Sequence, residues 1–374
     1  MRFNPYPFER LAKLLEDRCP NPREELISLA IGEPQFQTPE FILQEIEKYA
    51  DEFSKYPKSS GEEFLKESIL GFIKRRFALS LDMKNIIPTF GTREVLFNLP
   101  QFLCSDIAEP KIAFTNPFYQ IYEGAAIASK AKIEFIGVAS SFESCKEYLR
   151  DVDVVILNYP NNPTGEVLSK DELKEWVRGA HDFGFVLIND ECYSEIYQDI
   201  KPVSILEASY ELYGEYKNVI AINSLSKRSS CAGLRAGFVA GDSEILESYM
   251  RYRTYVGCAL PLPLQRGAAK AWSDDVHAEE IRKKYSYNMK EASRILDIKT
   301  SEATFYLWLD VGDDLAFCRY AYENYNLKLL PGSYLGRLGA GEGMIRVALV
   351  YEGELMDEGL DRLKKSIDNF IDRN

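Results

Sequence analysis

Short apolar runs recur along the chain, and each is bounded by turn-forming or charged residues. Segments with helical spacing of apolar positions lie between them, and one such segment opens with Ser169 and Glu172 in the pattern of a capping box. Strands that alternate with helices predict an α/β fold whose mainly parallel central sheet is covered on both faces. Functional residues are then expected on loops at the carboxyl ends of the strands. The runs lie at 111–114, 132–136, 153–157, 185–189, 219–222 and 237–240.

The pattern changes near residue 262. A long charged stretch with helical spacing is followed by strand-like runs at 303–309 and 344–350. A final amphipathic helix is then predicted from the apolar positions Leu360, Leu363, Ile367 and Phe370. This second pattern predicts a separate, smaller α+β domain.

We therefore expect two domains, which agrees with a length of 374 residues. The large domain, with the parallel sheet, is expected over 45–262. The small domain is expected to combine the N-terminal segment 1–44 with the C-terminal part 263–374.

Composition narrows the possible function classes. The formal net charge is −13 and no basic block is present, so we expect no nucleic-acid partner. No apolar run approaches the roughly 20 residues that span a bilayer, and no signal-peptide core opens the chain, so we expect a cytoplasmic protein without membrane contact. The 7 cysteines lie far apart and the only histidines are His181 and His277, which predicts reduced thiols and no metal site.

One stretch carries the residue types of a covalent cofactor site. It contains Ser224, Ser226 and Lys227, with Arg235 eight residues after the lysine. A lysine amine can form a Schiff base with an aldehyde, and hydroxyl and guanidinium groups match a phosphate dianion. Those are the groups that a covalently held pyridoxal phosphate needs. Taken alone, a loop rich in Ser, Lys and Arg is also an ordinary solvated turn.

Polar residues with matching chemistry follow two of the predicted strands. Segment 158–165 follows one buried run, and Asp190 and Tyr193 follow the next. An aspartate beneath a pyridine nitrogen keeps that nitrogen protonated, which makes the ring an electron sink. Asn162 and Tyr193 could donate hydrogen bonds to a phenolate oxygen of the ring. The alternatives are an ordinary turn at 158–165 and a helix cap at Asp190.

Together, these motifs resemble the class I and II aminotransferases of fold type I, which use pyridoxal 5'-phosphate. The resemblance runs nearly end to end and includes Arg346 near the C-terminus. It implies a homodimer with shared active sites that acts on small amino-acid and 2-oxo-acid substrates. It also implies that Lys227 forms the Schiff base with the cofactor and acts as general acid and base.

The resemblance assigns further roles around the cofactor. Asp190 would pair with the ring nitrogen, Asn162 and Tyr193 would hold the ring oxygen, and Tyr119 would stack on the ring face. The phosphate would be bound by Gly91, Thr92, Ser224, Ser226, Arg235 and, from the second subunit, Tyr56.

On the substrate side, the resemblance implies that the N-terminal segment containing Gly32 covers the substrate, and that Gly32 and Asn162 bind it. Arg346 would clamp the substrate α-carboxylate. Several longer segments are similar to the proteobacterial succinyldiaminopimelate aminotransferases of lysine and cell-wall biosynthesis. These segments lie at 116–126, 190–197, 224–230, 252–259 and 330–335.

This closer resemblance implies the substrate N-succinyl-LL-2,6-diaminopimelate, with 2-oxoglutarate and glutamate as the amino-group partners. The substrate carries three carboxylates, so cations beyond Arg346 are expected in the site. Arg253 is the favoured reader of a distal carboxylate, and Arg228, Arg337 and Arg23 are the other candidates. An aspartate or aromatic specificity, or a catalytically idle ligand-binding regulator, is the alternative function.

Overall fold

The computed structural model describes residues 2–371. The helices are α1 (Pro7–Leu15), α2 (Glu40–Lys48), α3 (Glu63–Phe77), α4 (Thr92–Leu103), α5 (Ile121–Ala128), α6 (Phe142–Leu149), α7 (Lys170–Phe183), α8 (Ile205–Tyr213), α9 (Leu225–Arg228), α10 (Ser243–Val256), α11 (Leu262–Ser273), α12 (Val276–Leu296), α13 (Asp314–Tyr325) and α14 (Glu354–Ile371). The strands are β1 (Ile27–Ser28), β2 (Ile86–Thr89), β3 (Lys111–Asn116), β4 (Lys132–Gly137), β5 (Val154–Leu157), β6 (Val186–Asp190), β7 (Val219–Ser224), β8 (Gly237–Gly241), β9 (Tyr306–Asp310), β10 (Leu327–Lys328), β11 (Leu330–Pro331) and β12 (Met344–Ala348). Short 3-10 turns lie at Ala50–Ser54, Met83–Asn85, Ala232–Leu234 and Gly332–Tyr334.

A central sheet has the strand order β2-β8-β7-β6-β5-β3-β4. The strands from β3 to β7 pair in parallel, whereas β8 is antiparallel to both β7 and β2. Each apolar run predicted as a strand forms one of the strands β3 to β8, so the mainly parallel α/β sheet is confirmed. Strand β2 was not predicted, because its short sequence Ile-Ile-Pro-Thr contains a proline, which is typical of an edge position.

Helices bury both faces of this sheet. On one face, α3, α7 and α11 contribute Phe72, Trp176 and Trp272 to a large apolar core. On the other face, α4 and α10 pack Leu96 and Tyr249 against the sheet. Each large apolar side chain buried in this way contributes about 1.5–3 kcal/mol by leaving water. The sheet is therefore a rigid platform for the loops at its carboxyl edge.

Helix α7 shows how local sequence sets the element boundaries. Ser169 accepts a hydrogen bond from the Glu172 backbone amide, and the Glu172 side chain accepts one from the Ser169 amide, as the capping-box pattern predicted. The helix ends at Gly184, whose φ of 82° suits a residue without a Cβ. These two signals fix both ends of the connection between β5 and β6.

A second, three-stranded antiparallel sheet has the order β11-β12-β9, and nearby β1 pairs with β10. The runs at 303–309 and 344–350 thus form β9 and β12, as predicted. Helix α14 confirms the final amphipathic helix, and it packs Leu360 and Leu363 into the same apolar cluster as Leu307 of β9. The domain boundaries at residues 45 and 262 remain a prediction.

Among the helices of the part of the chain that the structure describes, none is long and apolar enough to cross a bilayer.

Candidate active site

A cavity of about 830 Å³ lies where the loops after β5, β6 and β7 meet. Parallel strands deliver their following loops to one edge of the sheet, which explains why residues far apart in sequence meet here. Most residues predicted for the site line this cavity: Gly32, Thr92, Tyr119, Asn162, Asp190, Tyr193, Ser224, Ser226, Lys227, Arg235 and Arg346.

Lys227 lies on α9, the helical turn that directly follows β7. Its Nζ donates a hydrogen bond to the backbone carbonyl of Gly32. Burial lowers the pKa of Lys227 to about 8; the guanidinium groups of Arg346 and Arg235 also lower it, while the Cys192 thiol acts in the opposite direction. The Lys227 amine therefore loses its proton closer to neutral pH than an ordinary lysine does. The neutral amine can then act as a nucleophile and as a base.

Acylation of Lys227 in the cofactor-free protein is expected to follow a titration curve centred at about pH 8. Only the unprotonated amine reacts, and burial makes proton loss occur well below the ordinary lysine pKa of 10.5. Labelling with an amine-directed reagent across a pH series, read by peptide mass spectrometry, measures the midpoint. The exposed Lys283 serves as an internal reference, and a Lys227 midpoint at the ordinary value would contradict the proposed environment.

Asp190 ends β6 and is buried against the cavity. Its Oδ2 accepts a hydrogen bond from the Tyr122 hydroxyl at 2.8 Å, and its Oδ1 accepts one from the Cys192 backbone amide at 3.2 Å. Burial raises the pKa of Asp190, and these donors act against that effect. An aspartate oriented by two donors has the geometry to face a protonated ring nitrogen.

Arg346, on β12, is a buried cation with unused hydrogen-bonding capacity. Its Nη1 donates to Asn162 Oδ1 at 2.8 Å, and its Nη2 donates to the Ala30 carbonyl at 2.8 Å. Within residues 2–371 its buried Nε has no hydrogen-bond partner. A buried guanidinium with a free donor fits an anionic ligand, as expected for a substrate carboxylate.

Asn162 and Tyr193 both present donors to the cavity. Because Asn162 Oδ1 accepts from Arg346, the Asn162 group left to donate is its amide nitrogen. The Tyr193 hydroxyl lies 2.8 Å from the Tyr306 hydroxyl, which fixes its position. This arrangement agrees with donation to a ring oxygen.

A phosphate cradle lies at the start of α4. Gly91, with φ of 72°, precedes the first residue of the helix, and a Cβ there would lie 2.1 Å from Arg235 Nη2. The positive φ of Gly91 favours glycine, and the absence of a Cβ leaves room for the Arg235 guanidinium beside the start of the helix. The hydroxyls of Ser224 and Ser226 lie 3.0 Å apart on the same cavity wall. Helix amides, two hydroxyls and a guanidinium are a donor set that fits the phosphate of the predicted cofactor.

Arg93, for which no role was predicted, lines the cavity beside Tyr119. Its Nε donates to the Tyr119 hydroxyl at 2.8 Å. The guanidinium carbon lies 5.9 Å from the Tyr119 ring centroid and the same distance from the ring centroid of Tyr6. Arg93 therefore adds a positive charge to the wall that carries the predicted ring-stacking tyrosine.

The structure does not bring Arg253 into the cavity lining. Arg253 lies on α10 with 1% of its surface exposed, and its Nε and Nη2 donate to Glu94 Oε1 at 3.0 and 2.7 Å. Its Nη1 donates to the Ser59 carbonyl at 2.6 Å. The charge of Arg253 is thus compensated by a carboxylate whose own residue does line the cavity.

Replacing Arg253 with lysine is expected to lower the free energy of unfolding by about 1–2 kcal/mol, because an ammonium cannot make all three charge-assisted contacts. The KM for amino donors should change by no more than about twofold, because Arg253 does not line the cavity. Urea unfolding and steady-state kinetics measure the two effects. A large rise in KM with unchanged stability would support the role predicted for Arg253 from the sequence.

The other three candidate arginines also lie outside the cavity lining. Arg228 is buried and its Nη2 lies 2.7 Å from Asp275 Oδ1. Arg337 forms a bidentate pair with Glu123 at 2.6 and 2.8 Å. Arg23 lies in the connection between α1 and β1. None of these three lines the cavity among the residues described.

Tyr56 is fully exposed and lies in the connection between a 3-10 turn and α3, outside the cavity lining. The expectation that it contacts the phosphate of a second subunit remains a prediction, as does the homodimer itself.

Three site residues were missed for different reasons. No local signal singles out Arg93, which follows the predicted phosphate-binding residues Gly91 and Thr92, or Tyr306, which lies within the strand-like run 303–309. Tyr122 follows Tyr119 by three residues, which places both on one face of α5 and its preceding turn. That spacing was a usable signal, whereas the contact of Tyr122 with Asp190 depends on tertiary structure.

The chain is similar to known proteins along nearly its whole length. The family model of the class I and II aminotransferases matches residues 24–363. The chain is 32% identical to 4-dedimethylamino-4-oxo-anhydrotetracycline transaminase OxyQ of Streptomyces rimosus, covering 96% of this chain and 98% of that protein. It is 28% identical to an LL-diaminopimelate aminotransferase of Natranaerobius thermophilus, covering 96% of each chain. The crystal structure of aminotransferase AspB from Helicobacter pylori superposes with a TM-score of 0.94 at 44% identity, covering 99% of this chain and 100% of that one. The chain therefore belongs to the class I and II aminotransferases, a family of enzymes that depend on pyridoxal phosphate.

Proposed function

We propose that the enzyme transfers the amino group between N-succinyl-LL-2,6-diaminopimelate and 2-oxoglutarate. One observation carries the proposal: a protein of net charge −13 places three arginines, Arg93, Arg235 and Arg346, in the lining of one cavity. Such a concentration of cations in an acidic protein favours substrates with several negative charges. The succinylated substrate carries three carboxylates, and 2-oxoglutarate carries two.

The cations divide by position. Arg235 lies beside the helix start that fits a phosphate, and Arg346 has the free donor that fits an α-carboxylate. Arg93 is then left for a distal carboxylate of either substrate, with the Tyr119 hydroxyl holding its guanidinium in place. The relative named LL-diaminopimelate aminotransferase supports a substrate with a diaminopimelate backbone.

Bound pyridoxal phosphate supplies an aldehyde that carries the amino group and a ring that withdraws electrons from the substrate α-carbon. Lys227, with its lowered pKa, holds the cofactor between turnovers and moves a proton at the α-carbon once it is released. Asp190 would keep a positive charge on the ring nitrogen, and the Asn162 amide and the Tyr193 hydroxyl would donate to the ring oxygen. Arg346 orients the substrate through its carboxylate.

A paired assay tests the proposed specificity. The value of kcat/KM with 2-oxoglutarate as acceptor is expected to be at least about tenfold higher for N-succinyl-LL-2,6-diaminopimelate than for aspartate, because a longer substrate can engage Arg93 and Arg346 together. Both donors are assayed in the same preparation, saturated with cofactor. A ranking that favours aspartate or an aromatic amino acid would contradict the proposed substrate while leaving the aminotransferase family intact.

A further inference from the structure

A buried hydrogen-bond chain lies directly behind Lys227. Ser229, two residues after the lysine, has no exposed surface, and its Oγ lies 2.8 Å from His277 Nε2. His277 Nδ1 in turn lies 2.6 Å from Asp274 Oδ1. Asp274 also accepts the backbone amide of His277 at 3.0 Å, so the carboxylate fixes both the ring and the start of α12.

The chemistry of the chain fixes the direction of its hydrogen bonds. The carboxylate can only accept from His277 Nδ1–H, which leaves Nε2 to accept from the Ser229 hydroxyl. Arg228 Nη1 lies 3.4 Å from the same Nε2, so a second proton on the ring would face a guanidinium. Burial lowers the pKa of His277, with Arg228 adding to that effect and Asp274 and Asp275 opposing it. The buried imidazole is therefore neutral, with its proton on Nδ1.

Serine, histidine and aspartate in this order have the composition of a nucleophilic triad. Ser229, however, is fully buried, and His277 is 5% exposed. A substrate cannot reach the serine hydroxyl. The hydrogen-bonded residues Ser229, His277 and Asp274 can therefore act only by fixing the position of neighbouring groups.

The turn that carries Lys227 is held by contacts on two sides. On one side, Ser230 donates to the Phe36 carbonyl and accepts from Thr38 Oγ1 through its own carbonyl, which ties the turn to the segment that carries Gly32. On the other side, α12 starts beside His277 and ends in the apolar cluster of the second sheet. The turn that carries Lys227 is thus clamped between the N-terminal segment and the helix that leads to the smaller sheet.

We propose that His277 is a positioning residue, which through Ser229 holds α9 so that the Lys227 amine stays desolvated and aimed into the cavity. The inference rests on the role given to Lys227 in the proposed function. Its test is made without substrate, so the two can fail separately.

The test measures the pH midpoint of Lys227 acylation in the cofactor-free protein. His277→Phe keeps the ring volume but removes both hydrogen bonds, and it is expected to raise the midpoint by at least about half a pH unit, because a loosened turn readmits water to the amine. The glutamine in His277→Gln can still accept a hydrogen bond from Ser229, so the Lys227 midpoint of this variant should lie close to that of the native protein. His181→Phe is the matched control, since His181 is a largely exposed histidine that stacks on Tyr213.

A second measurement reports the imidazole directly. The chain has 2 histidines, so ¹⁵N-labelled protein gives two imidazole spin systems, and His181→Phe assigns them. His277 is expected as the neutral Nδ1–H tautomer throughout the neutral pH range. If His277→Phe fails to fold, Ser229→Ala removes only the hydroxyl and carries the same acylation readout.

A purely structural role would lower thermal stability without moving the Lys227 midpoint, and that result would overturn the proposal. The Nε2–H tautomer at His277 would overturn it as well. If the proposed role of Lys227 in transamination is wrong, the Lys227→Ala protein retains transaminase activity. In that case His277→Phe still raises the pH midpoint of Lys227 acylation.

Discussion

Replacing Lys227 with alanine is expected to lower kcat by at least about 10⁴-fold, the upper end of what a positioned acid–base group contributes. No other lysine lines the cavity among the described residues, so no neighbouring amine can substitute for it. The substitution also removes the hydrogen bond to the Gly32 carbonyl, which joins the N-terminal segment to the site. Single-turnover kinetics with cofactor-saturated protein measures the loss.

The control for this substitution is Lys170→Ala, which removes a lysine at the first position of α7 that pairs with Glu211 on the surface. Its kcat should equal that of the native protein. A Lys227→Ala protein that turns over at more than about one hundredth of the native rate would exclude Lys227 as the group that moves the α-proton.

Arg346→Lys is expected to lose about 2–4 kcal/mol of transition-state stabilisation, a fall of roughly 30- to 900-fold in kcat/KM. The native guanidinium donates to Asn162 and to the Ala30 carbonyl and still has its Nε free. An ammonium cannot satisfy both partners and also bind a carboxylate with a planar pair of donors. Losing the contact to Asn162 would further disturb a predicted donor to the ring oxygen.

The measurement is kcat/KM for both half-reactions, because under the proposed function the amino donor and 2-oxoglutarate would each present an α-carboxylate to Arg346. Arg282→Lys is a matched control, since Arg282 pairs with Glu279 and lines a different, smaller cavity. Equal values for Arg346→Lys and the native enzyme would remove Arg346 from the substrate site.

Most of the large sheet could be predicted from sequence because its strands are local apolar runs, and the central strands β5, β6 and β7 are buried along nearly their whole length. The capping box at Ser169 is likewise a local signal, and the structure reproduces it. Strand β2 lacks such a signal, because its four residues include Pro88 and its strand character depends on pairing with β8.

The cofactor-site residues could be grouped from sequence because parallel strands deliver successive loops to one edge. The arginine that would bind a distal substrate carboxylate could not be identified in this way. An arginine that already pairs with a carboxylate of the protein is less available to a substrate. Arg253 and Glu94 are far apart in sequence, and nothing local indicates that they pair. The same limitation hid Arg93, whose position is set by its contact with Tyr119.

The most direct test of the account is to locate the covalent bond between cofactor and protein. Borohydride reduction of the cofactor-loaded enzyme makes that bond permanent, and peptide mass spectrometry then identifies the modified lysine. We expect the pyridoxyl group on the peptide that contains Lys227, and we expect no such group at that position in the Lys227→Ala protein. A pyridoxyl group on any other lysine of the native enzyme would contradict it.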